Sequence, residues 1–512
     1  MKADQPKKES SLPGKPSSFW LETAPDKQFP KAKGYFSLDV AVIGGGIVGI
    51  TTAYLLGKAG LKVAVLEKDK ILHGVTGHTT AKLTSQHGLI YRHLINNFGR
   101  EKAQTYAEAN QKAIEKVFEI AEKEKIECDL KRALAYTYTE EENDRKEALE
   151  EIKACQSLGL PAKLKEEISL PFKTKGAACF ENQAIFHPLK FLYSLAEIVS
   201  KNGGLIFENS KVIKVNEGKE CLIKTEEAEI KAKKAILATN FPIYDQCYFF
   251  ARMWPKRSYA LAVKLREKLP EDYFISSRKK FHSIRPHFYD KGSILIIGGE
   301  PHRTGQGNDT VKLYKNLIEF AQKNFEVDSV LYRWSTHDQM PADNVPFIGR
   351  SSLRSKNIFV ATGFKGWGMS HGIVAAMLFL DLVNEQKNPW GELYDPCRFE
   401  GKASVKTIID QGITVAKEYL GNRFPGRKQQ SPRELKKKEA AIGEENSQKI
   451  AIYKDGEGKS HKVSAVCTHM GCTVSWNNAE KSWDCPCHGS RFNHKGEVIH
   501  APAVKNLKKI KT

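Results

Sequence analysis

Apolar residues fall in short runs whose period changes along the chain, and those changes mark out its units. Residues 38–68 open with Leu38-Asp-Val-Ala-Val-Ile43, continue through Gly44-Gly45-Gly46-Ile-Val-Gly49 into a stretch of helical length, and close with Val63-Ala-Val-Leu66 and Glu67. That order predicts a strand, a tight glycine turn, a helix, a second strand and an acid. Glu/Lys/Ala-rich stretches at 101–125 and 140–157 read as helices. His187-Pro-Leu leads into an amphipathic helix ending at Gly203-Gly204, then a strand through Val212 and Val215. Four more apolar segments follow: Lys234-Ala-Ile-Leu-Ala238-Thr239, Ile294-Leu-Ile-Ile-Gly298-Gly299, Asp343-Asn-Val-Pro346-Phe-Ile-Gly349 and Ala361-Thr-Gly363-Phe-Lys-Gly366-Trp-Gly368-Met369. From about residue 433 the runs shorten to Lys449-Ile-Ala-Ile-Tyr453 and His461-Lys-Val-Ser-Ala-Val466, a pattern of short strands.

These changes divide the chain into four parts. Residues 1–35, with Pro13, Pro16, Pro25 and Pro30, read as an extended arm. Residues 36–396 form the first large unit. Residues 397–432 join it to the last, through a helix around 403–421 and the polar run Phe424-Pro-Gly-Arg-Lys-Gln-Gln-Ser-Pro432. Residues 433–512 make a small all-β domain. The 101–125 and 140–157 helices are assigned to a substrate-binding part of the first unit.

The glycine turn carries the first chemistry. Gly44, Gly46 and Gly49 let the backbone approach a pyrophosphate at a helix N-terminus, and Glu67 is placed to accept from ribose hydroxyls. Glycines alone do not separate FAD from NAD. The remaining landmarks do, because their order over the first 395 residues resembles the FAD oxidoreductase family of D-amino-acid oxidase, glycine oxidase, and sarcosine and dimethylglycine dehydrogenases. That resemblance implies an α/β Rossmann-like FAD-binding domain with an interleaved α+β substrate domain. It assigns flavin contacts to Gly44, Gly46, Gly49, Glu67, His78, Thr79, Val212, Ala238, Gly363, Gly366, Gly368 and Met369. The final glycine-rich turn would open a helix whose N-terminus faces the flavin ring. Gly74-Val-Thr76-Gly-His78-Thr79-Thr80 resembles the loop through which some members link FAD covalently by histidine, and others use the same loop without a bond.

The second chemistry lies near the end. Cys467-Thr-His469-Met-Gly-Cys472 and Cys485-Pro-Cys487-His488-Gly-Ser490 offer six sulfur and imidazole groups in two loops. A structural zinc site needs only four. The spacing resembles the Rieske [2Fe–2S] signature. Carried over, the resemblance gives Cys467 and Cys485 to one iron, His469 and His488 to the other, and a clamping disulfide to Cys472 and Cys487. It also gives Ser490 a hydrogen bond to a cluster sulfur, and Ala501-Pro502-Ala503 the place of the loop that covers the cluster. Where high-potential members carry a tyrosine, this chain has Phe492, so one donor is missing and a lower potential is expected.

Substrate recognition is harder to read. The related amino-acid enzymes hold a carboxylate with arginine, yet Asp338-Gln339 stands where Arg-Pro is common. Asp338 is therefore a candidate partner for an amine. Arg257, Arg285, Arg303 and Arg333 are each expected to be surface charges.

Composition adds limits. The 512 residues are 41% hydrophobic and 27% charged, and no apolar run approaches the roughly 20 residues of a membrane span. The polar start, Met-Lys-Ala-Asp-Gln-Pro-Lys-Lys, has no apolar signal core, so a cytoplasmic location is expected, with the six cysteines outside the cluster loops free. The formal charge of +20 reads as a solvated basic face, including Lys436-Lys437-Lys438, or as a docking face for an acidic electron-transfer partner or membrane surface. No motif supports nucleic-acid binding.

Together the two chemistries suggest a dehydrogenase that oxidises a C–N bond in a small amine or amino acid. Its electrons would pass singly through the cluster to an external acceptor, protein or quinone. An NAD(P)H-linked reductase would need a second nucleotide site, and the other strand glycine pair, Gly298-Gly299, runs into Glu300-Pro301 rather than a helix. A Rieske oxygenase would need a mononuclear iron motif, which is not found. A non-catalytic electron-transfer or redox-sensing protein remains compatible with the Asp338-Gln339 departure.

Overall fold

The computed structural model describes residues 12–277, 281–307, 309–421 and 435–510. The polar run at 424–432 and residues 1–11 of the arm lie outside them.

Two large sheets and a small β module build the molecule. The first sheet runs, in spatial order, through Phe347–Arg350, Ile358–Thr362, Ala228–Leu237, Gly34–Ile43, Val63–Leu66 and Leu205–Phe207. Its central pairs are parallel: Gly34–Ile43 lies between Ala228–Leu237 and Val63–Leu66. Parallel strands buried on both faces need continuous apolar runs, and Val40, Ala41, Val42, Val63, Ala64 and Val65 supply them. Helices Ile47–Lys58 and Gly368–Val383 pack against each other on this sheet, where Gly372 makes room for Ile47.

The second sheet has nine strands, ordered Val327–Pro341, Met253–Leu265, Gly292–Arg303, His282–Tyr289, Tyr273–Ser276, Lys131–Tyr138, Ala177–Ile185 and Lys82–Leu83, with Ala162–Lys165 beside Ala177–Ile185. Its strands come from two stretches of sequence, 82–185 and 253–341, that alternate with those of the first sheet, so the two sheets are interleaved along the chain. The expected helices form as Arg100–Lys123 and Glu142–Ser157. The first touches both sheets' layers: its Glu115 pairs with Arg132 on the strand Lys131–Tyr138, and its Tyr106 hydroxyl lies 3.1 Å from His371 Nε2 on the helix Gly368–Val383.

The arm is more than extended chain. Ser18 caps a short helix, Phe19–Thr23, whose Trp20 is fully buried and donates from Nε1 to Thr79 O at 2.7 Å. Two adjacent aromatics beside a capping serine find more apolar surface to bury than solvent offers.

The C-terminal module pairs a three-stranded sheet, Ala440–Glu445, Gln448–Lys454 and Ser460–Ser464, with a four-stranded one, Ser475–Asn477, Ser482–Asp484, Arg491–Asn493 and Val498–His500. The junction carries helix Gly401–Gly421. The module is docked on the second sheet. Thr310 donates from N–H to Asn478 Oδ1 at 2.9 Å and from its hydroxyl to Asn477 Oδ1 at 2.7 Å. Glu480 forms ion pairs with Arg257 of the sheet and Arg491 of the module. No helix among the described residues is long and apolar enough to cross a membrane.

Two expectations need correction. Cys247 and Cys397, 150 residues apart, form a disulfide, so only four cysteines outside the cluster loops are free. Arg257 and Arg285 are not surface charges: they are 1% and 0% exposed. The reason is that each finds partners inside, Glu480 for Arg257, and Phe186 O and the Trp20 ring for Arg285.

Candidate functional site

One cavity of about 1100 Å³ runs between the two sheets and the module. At its first end the strand Gly34–Ile43 delivers the glycine turn. Gly44 sits at φ +111°, and a Cβ there would lie 2.4 Å from Ala238 O; one on Gly49 would lie 1.9 Å from Gly44 O. Only glycine allows this approach. Glu67 is fixed by the same turn, accepting from Gly45 N–H at 2.8 Å and from Asp69 N–H at 3.0 Å. Burial pushes its carboxyl up, and those two N–H groups partly restrain it.

Of the expected flavin contacts, Gly44, Gly46, Glu67, His78, Thr79, Val212, Ala238, Gly366, Gly368 and Met369 line the cavity. Gly49 and Gly363 do not: Gly49 packs under Gly44, and Gly363 packs against Met253 and Phe347. Helix Gly368–Val383 starts at the cavity wall, bringing its positive end there. His78 ends a 3₁₀ turn, Val75–His78, with Nδ1 2.8 Å from Gly74 O. Nε2 is then the ring nitrogen left for a bond to flavin, and acid precipitation distinguishes linked from released cofactor. The crowding at Gly44 and the acid in register fit a dinucleotide laid along this turn.

Asp338 lines the cavity beside Gly366, where an added Cβ would lie 3.6 Å from its Oδ2. Gln339 O accepts from Lys365 N–H at 3.1 Å, which ties this strand to the glycine turn. Burial pushes Asp338 up to about 6, with Lys256 and Arg257 opposing. The next residue back, His337, faces the module: its ring stacks on His500 at 5.4 Å. Gly298 and Gly299 stand within the strand Gly292–Arg303, paired on both sides, and form no nucleotide turn.

The cluster loops fold as two facing turns. Cys472 and Cys487 are joined, with Cα atoms 6.5 Å apart. Cys467 and Cys485 are buried and hydrogen-bonded to each other. The rings of His469 and His488 are 5.0 Å apart, and Nδ1 of each is buried without a hydrogen-bond partner. Two buried thiols and two orphaned imidazole nitrogens suit a [2Fe–2S] cluster. Ser490 hydrogen-bonds Cys467 and accepts from Ala503 N–H at 3.0 Å, next to Pro502. Phe492 is fully buried opposite Trp483.

The loops point into the rest of the chain. His469 lies edge-on to Phe241 at 6.3 Å and His488 to Phe250 at 5.9 Å. Phe241 also lines the cavity. Arg303 donates to Pro486 O at 3.1 Å and to Cys487 O at 3.3 Å. Arg333 instead binds carbonyls of the arm, at Leu12, Pro13 and Gly14.

Residues 39–382 match the FAD dependent oxidoreductase family, and residues 428–511 match the Rieske [2Fe-2S] domain. The chain belongs to the FAD-dependent oxidoreductases. It binds FAD in its first unit and a [2Fe–2S] cluster in its C-terminal module. The oxidoreductase is 37% identical to the Bacillus subtilis Rieske 2Fe-2S iron-sulfur protein YhfW over 498 residues, 97% of each chain. It is 23% identical to Escherichia coli gamma-glutamylputrescine oxidoreductase over 368 residues, 67% of this chain and 83% of that one. Its fold matches glycine oxidase from Geobacillus kaustophilus with a TM-score of 0.59 at 17% identity, covering 72% of this chain and all of that one.

Sequence reasoning did not find Lys82, Ser283, Lys256 or Lys365 on the cavity wall. Lys365 lies within the final glycine-rich turn without being singled out there, and the other three sit in no motif. The only signal near Lys82 is a dense polar run, Thr79-Thr80-Ala-Lys82-Leu-Thr84-Ser85.

Proposed function

We propose that the enzyme oxidises a C–N bond of a small amine or amino acid and passes the electrons singly through the cluster to an external one-electron acceptor, a protein or quinone. The observation that carries this reading is the shared cavity: Glu67 comes from the first sheet, Asp338 from the second, and Arg491 and His500 from the cluster module. Bound flavin supplies two-electron chemistry and the cluster one-electron chemistry.

The chain's own residues orient and neutralise. Gly44 and Gly46 seat the dinucleotide, and the start of helix Gly368–Val383 offers positive potential where charge develops on reduction. Asp338, with its carboxyl near the operating pH, pairs with the substrate ammonium and takes its proton, leaving the neutral amine from which hydride departs. Phe241 and Phe250 keep water from the cluster histidines on the side facing the cavity. The likeness to proteins named for gamma-glutamylputrescine and glycine supports a nitrogen-bearing substrate.

The test is anaerobic addition of single amines and amino acids to the holoprotein, then of NADH and NADPH. Bleaching of the flavin band by an amine or amino acid is expected. Bleaching by a nicotinamide alone would replace this reading with a reductase.

A further inference from the structure

Among the described residues, Lys82 is a buried cation without a counter-ion. It lies on the two-residue strand Lys82–Leu83 at the end of the second sheet and is 7% exposed. Its ammonium reaches to Ser283, four strands along in the sheet order, and to Thr80 at 2.6 Å, donating to both hydroxyls. Among the described residues, no carboxylate forms an ion pair with it, and the charged group that acts on it is another cation, Arg285. An unpaired buried charge is costly to keep. Arg285 itself donates from Nη2 to Phe186 O at 2.8 Å and lies over the face of Trp20 at 5.0 Å, while among the described residues its buried Nε and Nη1 have no hydrogen-bond partner.

The hydrogen-bond bookkeeping at this point is one-sided. A lysine ammonium has three donors and no acceptor, and two are used. Thr80 and Ser283 accept those two, so each hydroxyl keeps its own hydrogen to donate. Among the described residues, three donors, one N–H and two O–H, are therefore left without an acceptor on neighbouring side chains, and all three residues line the cavity. Gly298 keeps the adjoining space open: a Cβ there would lie 3.3 Å from Thr80 Cγ2 and 3.6 Å from Ser283 Cβ. The anionic part of the dinucleotide is already placed, at the Gly44 turn of the first sheet. Lys82 and Ser283 belong to the second.

The geometry points to Thr80, Lys82 and Ser283 as a cradle for the substrate's carboxylate, which narrows the substrate class from amines to amino acids. This rests on the C–N oxidation reading and assigns the carboxylate end of the substrate to Lys82. Two carboxylate oxygens match three convergent donors, and charge-assisted hydrogen bonds are the strong ones. Burial and Arg285 hold the empty Lys82 down to about 7, and a bound carboxylate supplies the counter-charge that this wall lacks.

The experiment is binding, not turnover. Acetate, propionate and benzoate are titrated into the oxidised holoprotein alongside acetamide, propionamide and benzamide, followed by calorimetry and by perturbation of the flavin band. At least one carboxylate is expected to bind, roughly 10-fold or more tighter than its amide, and Lys82→Met to weaken it roughly 10- to 100-fold. Should Lys82→Met fail to fold, Ser283→Ala and Thr80→Val carry the test, each with an expected loss of roughly 3- to 10-fold. No carboxylate binding, equal binding of acid and amide, or unchanged affinity in these variants would overturn the cradle. An amine without a carboxylate that reduces the flavin as fast as any amino acid would also overturn it, while leaving C–N oxidation intact.

Discussion

The two ends of the cavity are built by opposite means. At the nucleotide end, one continuous segment does nearly everything: residues 44–67 supply the turn, the helix N-terminus and the acid, and contact is made mainly by backbone. At the end proposed for substrate, Thr80, Lys82, Ser283 and Asp338 reach the cavity from three distant stretches, and they would act through side chains. The cluster loops resemble the first case: their ligands lie within 22 residues of one another, from Cys467 to His488. A common cofactor is held by a local backbone device, whereas the groups proposed to hold the substrate are side chains that only the tertiary fold assembles. The prosthetic groups are therefore read more readily than the reaction.

The largest effect that would expose this contrast is at Gly49. Gly49→Ala places a methyl 1.9 Å from a backbone oxygen that cannot move without distorting the turn. Purified protein is expected to lack FAD absorbance altogether while retaining cluster absorbance; retained flavin would show that the turn is more yielding than its contacts indicate. Next is Glu480, which joins sheet and module. Glu480→Gln leaves the buried Arg257 and Arg491 short of counter-charge, and a loss of about 3 kcal/mol is expected in denaturant unfolding.

The same carboxyl gives a pH signature. Burial pushes Glu480 up, but Arg257 and Arg491 prevail and hold it at about 2. Because the folded value lies below the usual one of about 4.3, its stabilisation is complete above that value and is lost as pH falls toward 2. Glu480→Gln should flatten stability over that interval; an unchanged slope would remove Glu480 as its source.

A smaller effect is expected at Asp338. Asp338→Asn removes the amine's partner, and kcat/KM should fall by roughly 100-fold with flavin content unchanged. The smallest is Phe492→Tyr, where one added hydrogen bond of about 1 kcal/mol would raise the cluster potential by about 40 mV. Redox titration without an upward shift would place the control of potential elsewhere.

What the sequence discloses follows the same division. The strand–turn–helix–strand at 38–68, the helices at Arg100–Lys123 and Glu142–Ser157, and both cluster loops are local patterns, and each is legible. Lys82 looks like any lysine in a polar run, because its significance depends on Ser283 lying 201 positions away. Arg257 and Glu480 are 223 positions apart, and nothing in either neighbourhood announces the other. The Cys247–Cys397 disulfide, closing 150 residues, has no spacing signature. The Phe19–Thr23 helix did leave a trace, since Ser18 precedes two large aromatics, but the prolines around it suggest extended chain.

The central claim is that flavin and cluster act as one internal relay, because the cluster histidines lie against Phe241 and Phe250 of the first unit. The direct measurement is anaerobic stopped-flow reduction by the amine or amino acid that bleaches the flavin, with freeze-quench EPR of the cluster at several protein concentrations. The account predicts that the cluster signal follows flavin bleaching at a rate independent of protein concentration. A rate that rises in proportion to concentration, or a flavin that bleaches while the cluster stays oxidised, would contradict it.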